Sequence, residues 1–131
     1  MIGLDTNILI RHLTQDEPEQ ASLASELIET TCSIEAPGYI NRIVLCEMVW
    51  TLDRAYHYDR KTILNCIETI LRATDLRVED ETAAWAALSL YNEGYDFVDA
   101  LIGLTNASAG ASKTRTFDKR AARLESFSRV E

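Results

Sequence analysis

Proline, glycine and positive charge are all scarce in this chain, and each shortage narrows what it can be. Two prolines, Pro18 and Pro37, and five glycines among 131 residues leave no room for a Pro/Gly linker or low-complexity tract. One domain spanning residues 1–131 is therefore the expectation. No apolar run approaches the ~20 residues of a membrane span, and Met1-Ile2-Gly3-Leu4 leads into Asp5-Thr6-Asn7 rather than into a basic leader with an apolar segment behind it. A soluble, cytoplasmic protein with no membrane partner is expected. The three cysteines, Cys32, Cys46 and Cys66, show neither CxxC nor Cys/His spacing and read as reduced core residues. His12 and His57 lack zinc-ligand spacing. GxSxG, P-loop and GxGxxG motifs are absent, so acyl-transfer nucleophiles and nucleotide cradles find no support.

Basic residues number 13 against 21 acidic ones, a net charge of −8. Taken alone, that charge argues against a nucleic-acid partner, but its distribution weakens the objection. Asp75 to Asp99 holds seven acids and one base, Arg77, whereas Lys113 to Arg129 holds six bases and two acids. A solvated helical face accounts for single basic residues there. Taken together, Lys113, Arg115, Lys119 and Arg120 are candidates to steer phosphate.

Periodicity and punctuation place the elements. Met1 to Leu4 reads as a short buried strand feeding a helix over about residues 7–13. Asp16-Glu17-Pro18 starts a second helix, and Cys32 to Ile40 has room for one short strand. Residues 41–57 form a core helix, Asp59 caps the next one, and Leu76-Arg77-Val78 is strand-sized. Helices then run through Ala84 to Tyr91 and Val98 to Thr105, followed by a strand near Lys113–Phe117, a short helix from Asp118 and a last strand at Phe127–Val130. Such alternation implies an α/β fold: a single three-layer α/β/α domain around a mostly parallel sheet of four or five strands. Sites in such folds lie at the carboxyl ends of strands.

Against this background, Asp5, Glu47, Asp99 and Asp118 stand out, because each falls in sequence that otherwise reads as buried. Glu47 is the only charge in the run Ile43 to Leu52. Buried acids need a partner or a cation. Asp5 and Asp118 each have a structural reading as helix caps, and Asp96 with Asp99 forms a capping-box-like pair. Glu47 lies in mid-helix, where no free N–H needs an acceptor, and its structural alternative is an ion pair with Arg42, Arg54 or a more distant arginine. The joint pattern points to a shared cation, and a site built only of carboxylate oxygens favours Mg²⁺ or Mn²⁺. One or two such ions suit phosphodiester hydrolysis.

Met1-Ile2-Gly3-Leu4-Asp5-Thr6-Asn7, Leu45-Cys46-Glu47-Met48-Val49-Trp50, Asp96-Phe97-Val98-Asp99-Ala100-Leu101-Ile102 and Thr116-Phe117-Asp118 together resemble the PIN-domain ribonucleases, specifically the VapC-type toxins of toxin–antitoxin pairs. The resemblance implies a PIN-like fold, with Asp5, Glu47 and Asp99 as core acids around Mg²⁺ or Mn²⁺ and Asp118 as the fourth. Asp5 and Asp99 would be the surest metal ligands. It also implies that Thr6, Asn7 and Thr116 hydrogen-bond the acids or a water, while Asp96 caps its helix. The implied activity is endoribonucleolytic cleavage of structured RNA of the transfer or ribosomal class. The implied partners are a small antitoxin and a second copy of the chain, in a homodimer or hetero-oligomer. Two other classes remain: a non-catalytic binding module on the same fold, and another metal-dependent phosphoryl hydrolase such as an aspartyl phosphatase. The second acid two residues on that such a phosphatase uses is missing from Asp5-Thr6-Asn7.

Overall fold

A computed structural model describes every residue from Met1 to Glu131, and the chain folds as two compact units, Met1–Glu81 and Thr82–Glu131. The first contains β1 (Ile2–Gly3), α1 (Thr6–Thr14), α2 (Pro18–Thr31), β2 (Gly38–Ile40), α3 (Arg42–Arg54), α4 (Arg60–Arg72) and β3 (Leu76–Val78). Its three strands pair in parallel in the order β1-β2-β3, with Ile2 opposite Gly38 and Tyr39 opposite Arg77. Parallel neighbours need long crossovers, and each crossover here is a pair of helices.

Local chemistry decides where those helices begin. The side chains of Asn41 and Asp59 accept hydrogen bonds from Val44 N and Thr62 N at 2.9 and 2.8 Å, and Pro18 opens α2 where its missing N–H costs nothing. The apolar stripes then close the core: Leu9, Ile40, Leu45, Met48, Leu52 and Ile67 have no exposed surface. Helix α1 packs on α2 and α3, α3 on α4, and α4 on β3. Cys32 is buried, Cys46 and Cys66 are half-buried, and all three are unbridged. Burial pushes the Cys66 thiol up, away from thiolate.

The second unit takes in α5 (Glu81–Asn92), α6 (Phe97–Ser108), β4 (Thr114–Thr116), a 3₁₀ turn at Ala121–Arg123 and β5 (Phe127–Arg129). Strands β4 and β5 pair in parallel, Thr114 opposite Phe127. Tyr91 meets the fully buried Phe97 edge-on at 6.3 Å, and α6 packs on β4. At Gly103 the helix comes so near the last strand that a Cβ would overlap Ser126 Oγ and the Phe127 ring. That contact explains why position 103 carries a glycine.

The α/β class and the parallel strands are as expected, but the five strands form sheets of three and two rather than one of four or five. Strands of two or three residues make few ladder bonds, and β1 contributes only two residues. Two boundaries also move. Helix α3 stops at Arg54 rather than near residue 57, because the chain turns through a left-handed His57 (φ 56°) before Asp59 caps α4. The helix expected from Asp118 is only the 3₁₀ turn.

Candidate active site

Asp5 stands where β1 gives way to α1. Leu4 is buried and its N–H continues the ladder to Tyr39 O at 2.9 Å, so the chain is still extended when it reaches Asp5. Asp5 is the N-cap residue of α1, and its Oδ1 accepts from Thr6 N at 2.8 Å. Thr6 is the polar side chain that the fold buries, 7% exposed, and its hydroxyl donates to Glu47 Oε1 at 2.8 Å across 41 positions of sequence. A strand end and a mid-helix acid are thereby joined through one threonine. Asn7 is exposed, at the edge of a groove between α1 and α2.

Two expectations fail here. Glu47 and Asp5 are exposed rather than buried. Helix α3 buries Val44, Leu45, Met48, Val49 and Leu52, which turns Glu47 outward together with Ile43 and Trp50. The uniform apolar run from Ile43 to Leu52 conceals that phase, since two of its large residues are themselves on the surface. The arginines considered as partners for Glu47 are engaged elsewhere. Arg42 pairs with Glu79 and Asp80 at 3.4 and 3.8 Å, and the Arg54 guanidinium lies 5.7 Å from the Trp50 ring.

In the second unit, Asp96 caps α6 as expected, its Oδ2 accepting from Asp99 N at 2.8 Å. Asp99 follows within the first helical turn and is half-buried. Burial first, and then the like charges of Asp96 and Asp118, hold its carboxyl above the usual aspartate range. Asp118 is exposed, and its loop is tightly tied. Thr116 Oγ1 accepts from Asp118 N at 3.0 Å, and Asp118 Oδ1 accepts from Arg120 N and Ala121 N at 2.8 and 3.0 Å.

Arg120 anchors that loop. Its guanidinium donates to Gly94 O at 3.1 and 3.3 Å and lies 4.9 Å from the centre of the Tyr95 ring. Gly94 makes the turn possible with φ of 106°, a conformation other residues rarely adopt. Gly94 and Tyr95, which directly precede Asp96, were not legible as site residues, because nothing in sequence links them to an arginine so far along the chain. Lys113 Nζ donates to Glu125 O and Arg115 to Arg129 O at 3.4 Å. Lys113, Arg115, Lys119 and Arg120 are all exposed, so the basic segment faces solvent even where its heads are engaged.

The donors available to a cation are all hard carboxylate oxygens, and the like-charge pressure on Asp99 is what such a cation would relieve. The donor chemistry therefore fits Mg²⁺ or Mn²⁺. No three acidic, histidine or cysteine side chains are drawn together closely enough to hold a metal as they stand. His12 Nδ1 lies 2.8 Å from Ser25 Oγ.

An acid at the end of the first strand, a mid-helix glutamate tied to the threonine after it, and a half-buried aspartate beside a capped helix start follow one another in the order described for one family. The sequence matches the PIN domain over residues 2–126. The chain belongs to the PIN-domain family. It is also similar to a VapC ribonuclease of Aquifex aeolicus (strain VF5), with 25% identity over 122 residues covering 92% of this chain and 90% of that protein. The PIN match runs through both units and includes Asp5, Glu47, Asp99 and Asp118.

Proposed function

We propose that this PIN-domain protein is a metal-dependent endoribonuclease and the toxin of a toxin–antitoxin pair, with residues 1–131 working as one nuclease domain. The observation that carries the reading is Asp99, a half-buried carboxylate under like-charge pressure from Asp96 and Asp118, with no cationic group among the causes of its shift. Asp5, Asp96 and Asp118 all cap backbone N–H groups, as a mere binding module would have them do. Glu47 and Asp99 cap nothing, and their placement favours chemistry.

In this reading Asp5, Glu47 and Asp99 hold Mg²⁺ or Mn²⁺, with Asp118 as the fourth acid. Such an ion would supply Lewis acidity for water activation and charge neutralisation in phosphodiester hydrolysis, with 5′-phosphate and 3′-hydroxyl products. Thr6 fixes the Glu47 carboxylate through its hydroxyl, and Thr116 fixes the Asp118 backbone. Lys113, Arg115 and Lys119 attract the RNA backbone despite the overall negative charge, while Arg120 positions the Asp118 loop. The similarity to a VapC ribonuclease supports RNA as the substrate; structured RNA of the transfer or ribosomal class, a small antitoxin covering the acids, a homodimer and a cytoplasmic setting complete the proposal. No helix is long and apolar enough to cross a membrane.

The test is controlled expression with and without the neighbouring reading frame, followed by mapping of new RNA 5′ ends. Wild type should arrest growth and create discrete ends that disappear in Asp99→Ala and on co-expression of the partner. Identical end maps for wild type and Asp99→Ala would refute the nuclease reading.

A further inference from the structure

Phe117 is 76% exposed, the highest value among the large apolar side chains that reach solvent. Leaving a phenylalanine in water forgoes the favourable burial of its ring, and a loose loop would let the ring fold back. This loop is not loose. On one side, Thr116 lies in β4 and its hydroxyl accepts from Asp118 N. On the other, Asp118 Oδ1 accepts from two backbone N–H groups, and Arg120 is fastened to Gly94 O and the face of Tyr95. The ring is thus displayed on a rigid turn, immediately before an acid whose charge acts on Asp99. Cations flank it, Arg115 two residues before and Lys119 two residues after, both exposed. The remaining exposed large apolar residues are aliphatic, apart from Trp50, whose ring has Arg54 at 5.7 Å.

We propose that Phe117 is a substrate-binding residue: a stacking platform for one unpaired RNA base beside the cleaved phosphate, with Arg115 and Lys119 attracting the flanking phosphates. The proposal rests on the nuclease reading and narrows its substrate. A base inside a duplex has both faces covered by its neighbours, so an aromatic platform selects a nucleotide from a loop, bulge or single strand. Stacking on a fixed ring costs little entropy and tolerates any base. Positioning the acids is left to Thr116 and Arg120.

The experiment compares wild type with Phe117→Ala, Phe117→Leu and Phe117→Trp in the full-length chain. Two probes are used: a short unstructured RNA carrying 2-aminopurine, and the same sequence annealed to its complement. Phe117→Ala and Phe117→Leu should weaken single-strand binding about 5- to 100-fold, with the loss of cleavage carried by KM rather than kcat. Phe117→Trp should bind as wild type, and its indole emission should be quenched by the single strand and not by the duplex. Equal binding by Ala and wild type would overturn the proposal. So would full rescue by Leu, which keeps apolar surface without a π-face, or a loss confined to kcat. Unaltered RNA binding with a smaller sedimenting species in Phe117→Ala would assign the ring to contact with a second copy and likewise overturn it. If wild type cleaves no RNA, the nuclease reading fails, and the quenching titration still decides whether Phe117 stacks bases.

Discussion

Replacing Thr6 with valine removes one hydrogen bond and changes little else. The side chain is 7% exposed, and its hydroxyl donates to Glu47 Oε1 at 2.8 Å. Valine keeps the branched shape and the buried methyl while the carboxylate loses its donor. Hydrogen bonds to charged groups are worth about 1.5–3 kcal/mol net. Glu47 is exposed and regains water when released, which puts the loss at the low end, about 1.5 kcal/mol, or roughly 3–8 °C in Tm for a chain of this size. Thr6→Ser is the counterpart, since it keeps the donor and deletes a methyl worth about 0.8 kcal/mol. Both variants lose stability, so melting alone does not separate the roles. Mn²⁺ binding does, measured by calorimetry alongside cleavage of a labelled RNA. If Thr6 holds Glu47 in place for a cation, Thr6→Val weakens Mn²⁺ affinity or activity about 10- to 100-fold and Thr6→Ser leaves both near wild type. Wild-type Mn²⁺ affinity in the valine variant, or a larger loss in the serine variant, would refute the reasoning and reduce Thr6 to a packing residue.

Asp99→Asn tests the charge pressure on α6. The folded chain holds the Asp99 proton more tightly than the unfolded one, so the stability from this group is complete below about pH 3.9 and is lost as pH rises through the raised folded value. In EDTA at pH 7 the asparagine variant should therefore melt above wild type, with the gap closing below about pH 4; a gap that widens on acidification would contradict the cause assigned. Millimolar Mn²⁺ should raise the melting temperature of wild type by roughly 2.7 kcal/mol worth of stability at a hundredfold excess over Kd and leave Asp99→Asn unmoved; equal shifts would place the ion elsewhere. Gly103→Ala drives a methyl against Ser126 and Phe127 and should cost about 1–3 kcal/mol in a urea titration, with an unchanged midpoint showing that α6 can back away from β5.

Several of these features were legible before any fold was known, because they are local. Pro18 as the first residue of α2, and the caps Asp59 ahead of α4 and Asp96 ahead of α6, need only their own next few residues. The five short strands fell where apolar runs met turn residues. Asp5, Asp99 and Asp118 were picked out as acids at element junctions, and they occupy such junctions. Glu47 was singled out on a partly mistaken ground. Its run looked buried throughout, whereas α3 packs only one side against the core and shows a face to water that carries Ile43, Glu47 and Trp50.

By itself the sequence determined the order of elements and the helix starts, which depend on neighbours within a turn or two; the alternation of strands and helices along it pointed to the parallel α/β class, and local context singled out the acids. Only the tertiary structure decided what those acids meet. It gave Glu47 the hydroxyl of Thr6, set Asp118 against the charge of Asp99, and tied Arg120 to Gly94 and Tyr95. It also split the strands into sheets of three and two and left the Phe117 ring in solvent. These outcomes depend on hydrogen bonds and field strengths that act across a few ångströms of space. Residues far apart in sequence reach those distances only when the chain closes on itself.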